Sequence, residues 1–313
     1  MGEPGEKRFS ILLCIDGSEE SFRGLHYAVR IGKGNDADIT LLFIRPVDRD
    51  RESGGLEMNL MRQNMLEWGL QLPGMKHLER ARETLIELGY MNETWKSETV
   101  HREVYGDPVG DNMVIYTSDT GARIVLKLMV SPSVARGVLD ECELNPYDLT
   151  IIAMQDNAET SANGQINWNV ARTVVTEHHG VVLLAREIEE NHGHLICVTA
   201  DERSIAAAQK DAIIASRCNC PVYILSVAEN DAEQPMAETA IALARNSIEN
   251  AGVKVEEAVA VVGDPITKII EHGKPYSVIV MADSEVKGFR RFFHTSVAYE
   301  VLRCAYNSVM IMR

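Results

Sequence analysis

The sequence predicts an α/β protein made of two tandem open-sheet domains, residues 1–190 and 191–313, each with five parallel strands and helices on both faces. The first observation behind this is the stretch RFSILLCIDGSEESFRGLHYAV at 8–29. Its apolar run at 11–15 ends at the turn pair Asp16-Gly17, and Phe22, Leu25, Ala28 and Val29 follow at helical spacing. A strand covered by helices on both faces needs an unbroken apolar run, whereas a half-exposed one alternates. The second is the return of the pattern in HLICVTADERSIAAAQKDAI at 194–213. Setting Leu12 on Leu195 brings Cys14 onto Cys197, Asp16 onto Thr199 and Ser21 onto Ser204 without a gap. That interval is too long for a solenoid and reads as a duplicated domain. The third is the alternation of strand and helix in both halves, the pattern of right-handed parallel crossovers.

Taken in order, Ser18 is placed to cap the first helix, with Ser21 as the alternative cap and Glu19 and Glu20 at the positive end of its dipole. Residues 39–44 (ITLLFI) form the second strand after the turn signal Gly34-Asn35-Asp36. The segment 45–76 departs from the pattern, with Gly54-Gly55, a Met-rich amphipathic run and Pro73-Gly74. It reads as an insert packed on its own domain or as a lid or partner-binding helix, since Met-rich faces repack readily. A helix over 75–88, charged at i, i+4 on its wet face, stops at Gly89. Residues 99–105 alternate as the third strand and run into Gly106-Asp107-Pro108. Residues 112–130 read as a hairpin turning at 118–121, an insertion with no counterpart in the second half. A helix at 133–144, a strand at 147–154, a loop, a helix at 169–178 and a last strand at 181–185 complete the domain.

The second half repeats this in shorter form, with strands at 195–199, 221–227, 253–262, 276–281 and 309–312 and helices at 204–216, 235–251, 265–272 and 296–303. Gly263-Asp264-Pro265 is matched to Gly106-Asp107-Pro108, and Pro suits a first helical turn because its missing N–H has no partner there anyway.

Composition narrows the function. With 45% hydrophobic and only 6% aromatic residues over 313 positions, the cores are built from aliphatic side chains and Met. A net charge of −15 disfavours a phosphate-backbone partner, so nucleic acid is not expected. No apolar stretch reaches spanning length, MGEPGEKRF lacks the apolar core of a signal peptide, and Glu6 and Lys7 spoil a myristoylation signal; the expectation is a cytoplasmic protein with no membrane partner.

Six scattered cysteines read as buried reduced thiols, and Cys218-Asn219-Cys220 lacks the second pair of a zinc site. His178, His179, His192 and His194 straddle a strand end and a linker and are expected at a solvated boundary, so no metal ligand is assigned. Asp201-Glu202, like Glu19-Glu20, opens a helix and is explained by capping. P-loop, dinucleotide, HExxH and GxSxG motifs are absent, and no catalytic residue is expected.

ILLCIDGSEES, the strand LLFI, the Gly-Asp-Pro after the third strand and the ending TSVAYEVLRCAYNSVMIM together resemble the universal stress protein family. The resemblance runs over nearly the whole chain twice, apart from the insertions at 45–76 and 109–132. It implies five-stranded α/β domains, pairing of domains through the last strand and, in one subgroup, binding of ATP or AMP. In that subgroup an Asp ending the first strand holds the adenine, and a Gly-x-x-Gly, nine residues, Gly-Ser/Thr loop after the fourth strand wraps the phosphates. Glycines let backbone N–H groups approach an anion closely. The positions carried over are Asp16, Ile44, Met154 and Asn169 in the first half and Ser296 and Val297 in the second.

Both loops depart from the pattern. Gln155, Ala158 and Trp168 hold the glycine positions of the first; Thr199 replaces the Asp of the second, whose glycine positions hold Ala282, Glu285 and Thr295. Glu285 opposes a phosphate, while Lys287, Arg290 and Arg291 offset it. Two functions therefore remain: a non-enzymatic stress-response scaffold or regulator with degenerate loops, and an ATP or AMP switch, or slow ATPase, using Asp16 and an atypical loop. A third, weaker reading is a small anion on the 287–291 loop, which salt would weaken. The runs 181–185 and 309–312 end their domains as edges, which predicts self-association by antiparallel pairing, within the chain as a pseudo-dimer or between chains as a homodimer.

Overall fold

In the computed structural model, β1 (Ser10–Cys14) lies at the heart of the first half, its last four residues buried. It pairs in parallel with β2 (Asp38–Pro46) on one side and β6 (Leu149–Ala153) on the other. The structure describes residues 8–46, 74–104, 107–153, 166–186, 192–283 and 296–313. The chain divides into two units, 1–178 and 179–313. Each is an α/β unit with a mostly parallel sheet.

In the first unit, β3 (Lys96–Val104), β4 (Asp107–Thr117) and β5 (Arg123–Ser131) complete the strand order β6-β1-β2-β5-β4-β3. The strand parallel to β2 is β5, and β3 and β4 are added antiparallel outside it. This corrects the sequence reading, which put the third parallel strand at 99–105. The reason is burial: KSETVHREV is exposed along nearly its whole length, whereas RIVLKLMVS sinks alternate and then consecutive residues, as an interior parallel strand must. Lys127, at its middle, meets buried Glu141 at 2.5 Å, and Tyr147 and Asn145 also donate to that carboxylate. The hairpin turn at 118–121 forms as read, with Ser118 N–H donating to Ala122 O at 2.9 Å and Gly121 at φ +85°.

The two Gly-Asp-Pro stretches are likewise not counterparts. Asp107 opens β4, where it accepts from Gly110 N–H and from the Arg45 guanidinium. The turn in the first unit that leads from the parallel strand into a helix is Ser131-Pro132-Ser133, with Ser133 capping the helix Val134–Leu144.

Among the described residues the helices of this unit are α1 (Glu19–Asn35), α2 (Met75–Glu87), α3 (Val134–Leu144) and α4 (Trp168–Glu177). Phe43 and Ile44 are consecutive in β2 and so point to opposite faces of the sheet. A Cβ on Gly74, at the foot of α2, would lie 2.6 Å from the Phe43 ring, and one on Gly137 of α3 would lie 2.7 Å from Ile44 Cδ1. Helices thus cover both faces. The Met-rich run of 45–76 lies outside the described residues.

The second unit is more regular. β8 (His194–Cys197) is flanked by β9 (Val222–Ala228) and β11 (Val278–Ala282), with β10 (Val255–Val262) and β12 (Ser308–Met312) beyond them, all parallel. The helices are α5 (Glu202–Arg217), α6 (Gln234–Asn250), α7 (Pro265–Gly273) and α8 (Val297–Cys304). β7 (Val182–Ala185) runs antiparallel to β12, with Leu183 opposite Met310. It therefore groups with the second unit, whereas the sequence reading had it close the first domain at residue 190. Its junction is fixed by Arg186, whose N–H donates to Ser308 Oγ at 3.1 Å and whose guanidinium donates to Leu302 O and Asn307 O.

The packing of α1 on β1 and β6 gives a direct test. A Cβ on Gly24 would lie 2.9 Å from Ala153 Cβ, which is fixed to the β6 backbone and cannot swing aside. Helix propensity favours Gly24→Ala by about 1 kcal/mol, but overpacking costs about 1–3 kcal/mol. We expect a net loss of about 1 kcal/mol, read as a lower urea midpoint; a higher midpoint would show that α1 can lift off the sheet.

Candidate functional site

In the first unit the strand order turns back between β1 and β6, and ligands of open α/β sheets bind outside the carboxyl ends of strands at such a point. Asp16 stands there, just past β1. Its Oδ1 accepts from Ser18 N–H at 2.9 Å and Ser18 Oγ at 2.5 Å, and its Oδ2 accepts from Ile166 N–H at 2.8 Å. Ser18 in turn caps α1 by accepting from Ser21 N–H at 3.2 Å. The carboxylate thus clamps the β1–α1 turn to the segment that enters α4.

His77 covers the turn itself. Gly17 has φ +86°, and a Cβ there would lie 2.5 Å from the His77 ring. That ring stacks on Phe43, with centroids 5.7 Å apart and planes 7° from parallel. Burial, seconded by the Lys76 charge, pushes the imidazole below its ordinary pKa against the pull of Asp16. Arg80, one turn on, bonds Glu19 at 3.1 Å and lies over the Phe22 ring at 4.0 Å, tying α2 to the start of α1. No sequence signal pointed to His77, because the contact spans sixty residues of chain (17 to 77).

The other predicted site residues that are described lie on separate elements. Ile44 is buried, with Gly137 of α3 at its Cδ1. Asn169 is exposed within α4, and the cap of that helix is Asn167, which accepts from Val170 N–H at 3.1 Å. The cap therefore sits two residues before the position matched to it, because the loop is shorter than the family pattern assumes. Met154 and the loop positions Gln155 and Ala158 lie outside the described residues.

In the second unit Thr199 holds the Asp16 position and donates to Asp201 Oδ2 at 2.5 Å, while Asp201 caps α5. Ser296 caps α8, accepting from Tyr299 N–H at 3.1 Å, and Val297 is the first residue of that helix. Glu285, Thr295, Lys287, Arg290 and Arg291 lie outside the described residues. Near the carboxyl ends of β11 and β12 is a cavity of about 430 Å³ whose walls include Arg203, Lys210, Asp283 and Arg313 over a floor of Ala206 and Ala207. Asp283 is held by Arg313 at 2.8 Å, and Arg203 and Lys210 are the other cationic residues of the lining.

The four histidines form no metal cluster; among the described residues no group of three or more His, Cys, Asp or Glu is placed to hold an ion. His194 is not at a solvated boundary, as the sequence reading had it. It is 3% exposed, with Nδ1 3.0 Å from Oδ2 of Asp211, itself fully buried. Burial pushes the imidazole down, but the Asp211 charge and hydrogen bond, with a further hydrogen bond to Cys220, outweigh it and raise the pKa to about 10.

Fold and corner together define a doubly wound α/β protein of the kind that places ligands at strand carboxyl ends. The family follows from the sequence match: the model of the universal stress protein family matches residues 8–174, more than half of the chain, and the protein belongs to that family. A universal stress protein from Archaeoglobus fulgidus DSM 4304 has a similar fold, with a TM-score of 0.63 at 13% identity over 97% of this chain and 98% of its own. A protein of Pseudomonas aeruginosa UCBPP-PA14, provisionally assigned to the same family, gives a TM-score of 0.58 at 13% identity over 97% and 92%. A universal stress protein from Archaeoglobus fulgidus in complex with dAMP matches 39% of this chain and 97% of its own, at a TM-score of 0.33 and 21% identity. No curated protein matches the sequence significantly. Among the described residues no helix is long and apolar enough to cross a membrane.

Two outcomes follow from this geometry. Asp16→Ala strips an acceptor from Ser18 and Ile166 N–H and should destabilise the ligand-free protein by about 1–3 kcal/mol in urea unfolding; a carboxylate reserved for a ligand would leave that stability unchanged or higher. For His194 the folded pKa is raised, so its contribution is complete below the unfolded value of about 6.5 and fades as pH rises toward 10. The melting temperature should decline across that window, and Asp211→Asn should flatten the decline.

Proposed function

We propose that this protein is a non-enzymatic scaffold or regulator of the stress response, working in the cytoplasm, with two universal stress protein domains in tandem. The observation that carries this reading is the state of the corner at Asp16: both carboxylate oxygens are engaged by the protein's own N–H and hydroxyl groups, and His77 lies on the glycine beside them. A corner so filled serves as a structural joint. Part of the positions at which the family's binding subgroup carries glycines are occupied here by Trp168 and Ala282, which supports the same reading.

The second reading is an ATP- or AMP-responsive switch, and what favours it is the cavity in the second unit with Arg203, Lys210 and Arg313 in its wall. Cationic side chains converging on a concavity suit a phosphate group. Of the two forms of self-association, the pairing of β7 with β12 supports the one within the chain, and light scattering is then expected to return the mass of a single chain.

A thermal-shift series with ATP, ADP, AMP and inorganic phosphate separates the two. A nucleotide bound at 10 μM and supplied at 1 mM would add about 2.7 kcal/mol, a rise of several degrees for a unit of this size. The scaffold reading expects less than about one degree with every ligand. A nucleotide-dependent rise that Arg203→Ala abolishes and Asp16→Ala leaves intact would establish the switch and place it in the second unit.

A further inference from the structure

Leu195 of β8, Tyr223 of β9 and Glu257 of β10 are partners in strand register, so their side chains share one face of the second unit's sheet. The next row on that face is Cys197, Leu225 and Val259. α7 lies on the same face: a Cβ on Gly273, its last residue, would strike Ile279 Cδ1, and Ile279 is the β11 partner of Leu195. α7 has only nine residues, and beside it a cavity of about 450 Å³ opens over β9 and β10. Leu195, Tyr223, Leu225 and Val259 line it from the strands, Glu271 and His272 from α7. Tyr276, just beyond α7, joins the lining and sets its ring against Tyr223, with centroids 4.7 Å apart and planes tilted by 51°.

Glu257 gives this cavity its sign. A bulge in β10 between Val255 and Glu257 sets that residue, rather than Glu256, opposite Tyr223. Glu256 is bonded by Lys254 at 2.6 Å and Glu271 by Lys268 at 3.3 Å, whereas among the described residues nothing pairs with the Glu257 carboxylate. Burial and, after it, the Glu257 charge raise the Tyr276 pKa, so the carboxylate acts on the ring beside the cavity.

The first unit shows what the same place holds when the chain fills it. With Leu12 set on Leu195, the strand registers set Thr40 on Tyr223, Val125 on Glu257 and Lys127 on Val259. Tyr147 and Tyr276 correspond as well, each two residues ahead of the strand residue that pairs with Ile11 or His194. There the Lys127 ammonium meets Glu141 at 2.5 Å, and Tyr147 donates to the same carboxylate at 2.7 Å. The first unit thus brings an ammonium, a tyrosine and a carboxylate together from its own side chains. In the second the tyrosine remains, Tyr223 adds another ring, the carboxylate has moved to Glu257, and Val259 leaves the ammonium out.

We propose that the cavity beside α7 binds a small organic cation, an alkylated ammonium held against the Tyr223 and Tyr276 rings with Glu257 as its counter-charge. A cation over an aromatic face is attracted by the ring quadrupole, more so where water is partly displaced. Methyl groups on the nitrogen find apolar contact with Leu195, Leu225 and Val259. The volume falls within the range of small-molecule sites. A hard metal ion does not suit the cavity, since it takes a shell of oxygen ligands that rings cannot supply, and an anion would meet two carboxylates. The cavity shares no lining residue with the one beside Arg203 and so stands apart from the nucleotide reading.

The test is a titration of choline chloride into the full-length chain at constant ionic strength, followed by saturation-transfer NMR on the choline methyl signal. Saturable binding with a dissociation constant below about 10 mM is expected. Dimethylbutanol, the uncharged carbon isostere of choline, should bind at least about threefold more weakly. Glu257→Gln should weaken choline by about threefold, the size of effect an exposed carboxylate has on a cation. Val259→Lys, which copies the built-in ammonium of the first unit, should abolish binding. General attraction of cations to a chain of net charge −15 would survive both substitutions. The proposal is overturned if the isostere binds as tightly as choline, if the unsubstituted chain shows no saturable binding below about 10 mM, or if choline binds Glu257→Gln or folded Val259→Lys protein with unchanged affinity.

Discussion

A parallel strand inside a doubly wound sheet has no face left for water, and the architecture of both units follows from meeting that demand. β1, β6, β8, β11 and β12 are short and almost wholly buried, so their side chains are aliphatic and their connecting helices must lie close. Close approach explains the glycines that face the sheet: Gly24 lets α1 settle on Ala153, and Gly137 lets α3 settle on Ile44. It also fixes where chemistry can occur. Polar groups enter the layer between strands and helices only with partners, as Lys127 does with Glu141, and others collect at the ends of each sheet, where the turns are.

The two units use those ends differently. In the first, Asp16 and His77 close the carboxyl-end corner with hydrogen bonds and a stacked ring. In the second, Thr199 and Asp201 keep the turn by local capping, a cavity with Arg203 and Lys210 in its lining lies nearby, and a His–Asp pair is buried at the far end. A duplicated fold can diverge this way because a turn is held by a few local bonds, while the buried strands tolerate little besides other aliphatic residues.

What was legible in the sequence is what local interactions determine. Ser18 caps its helix as read, and the helices read from 133 and 296 begin within a residue of those positions, because a cap needs only its own turn. The 118–121 turn shows in its residues for the same reason. What was not legible depends on competition between distant segments. Residues 96–104 and 123–131 can each form a strand, and only the burial available beside β2 selects the second. The Asn167 cap was missed because a motif of fixed spacing was laid over a loop of different length. His194 was misplaced because its partner is seventeen residues on, across the strand-to-helix crossover, and neither residue is unusual by itself.

The antiparallel pairing of β7 with β12 bears on how the protein can be divided. β12 is buried at every residue, and its outer backbone groups are met by 182–184. A fragment cut at residue 191, where composition suggests a linker, would strip that edge and leave an apolar strand open to any passing chain, with fibrous or swapped assemblies as the outcome. Cutting ahead of His179 keeps 182–184 on β12.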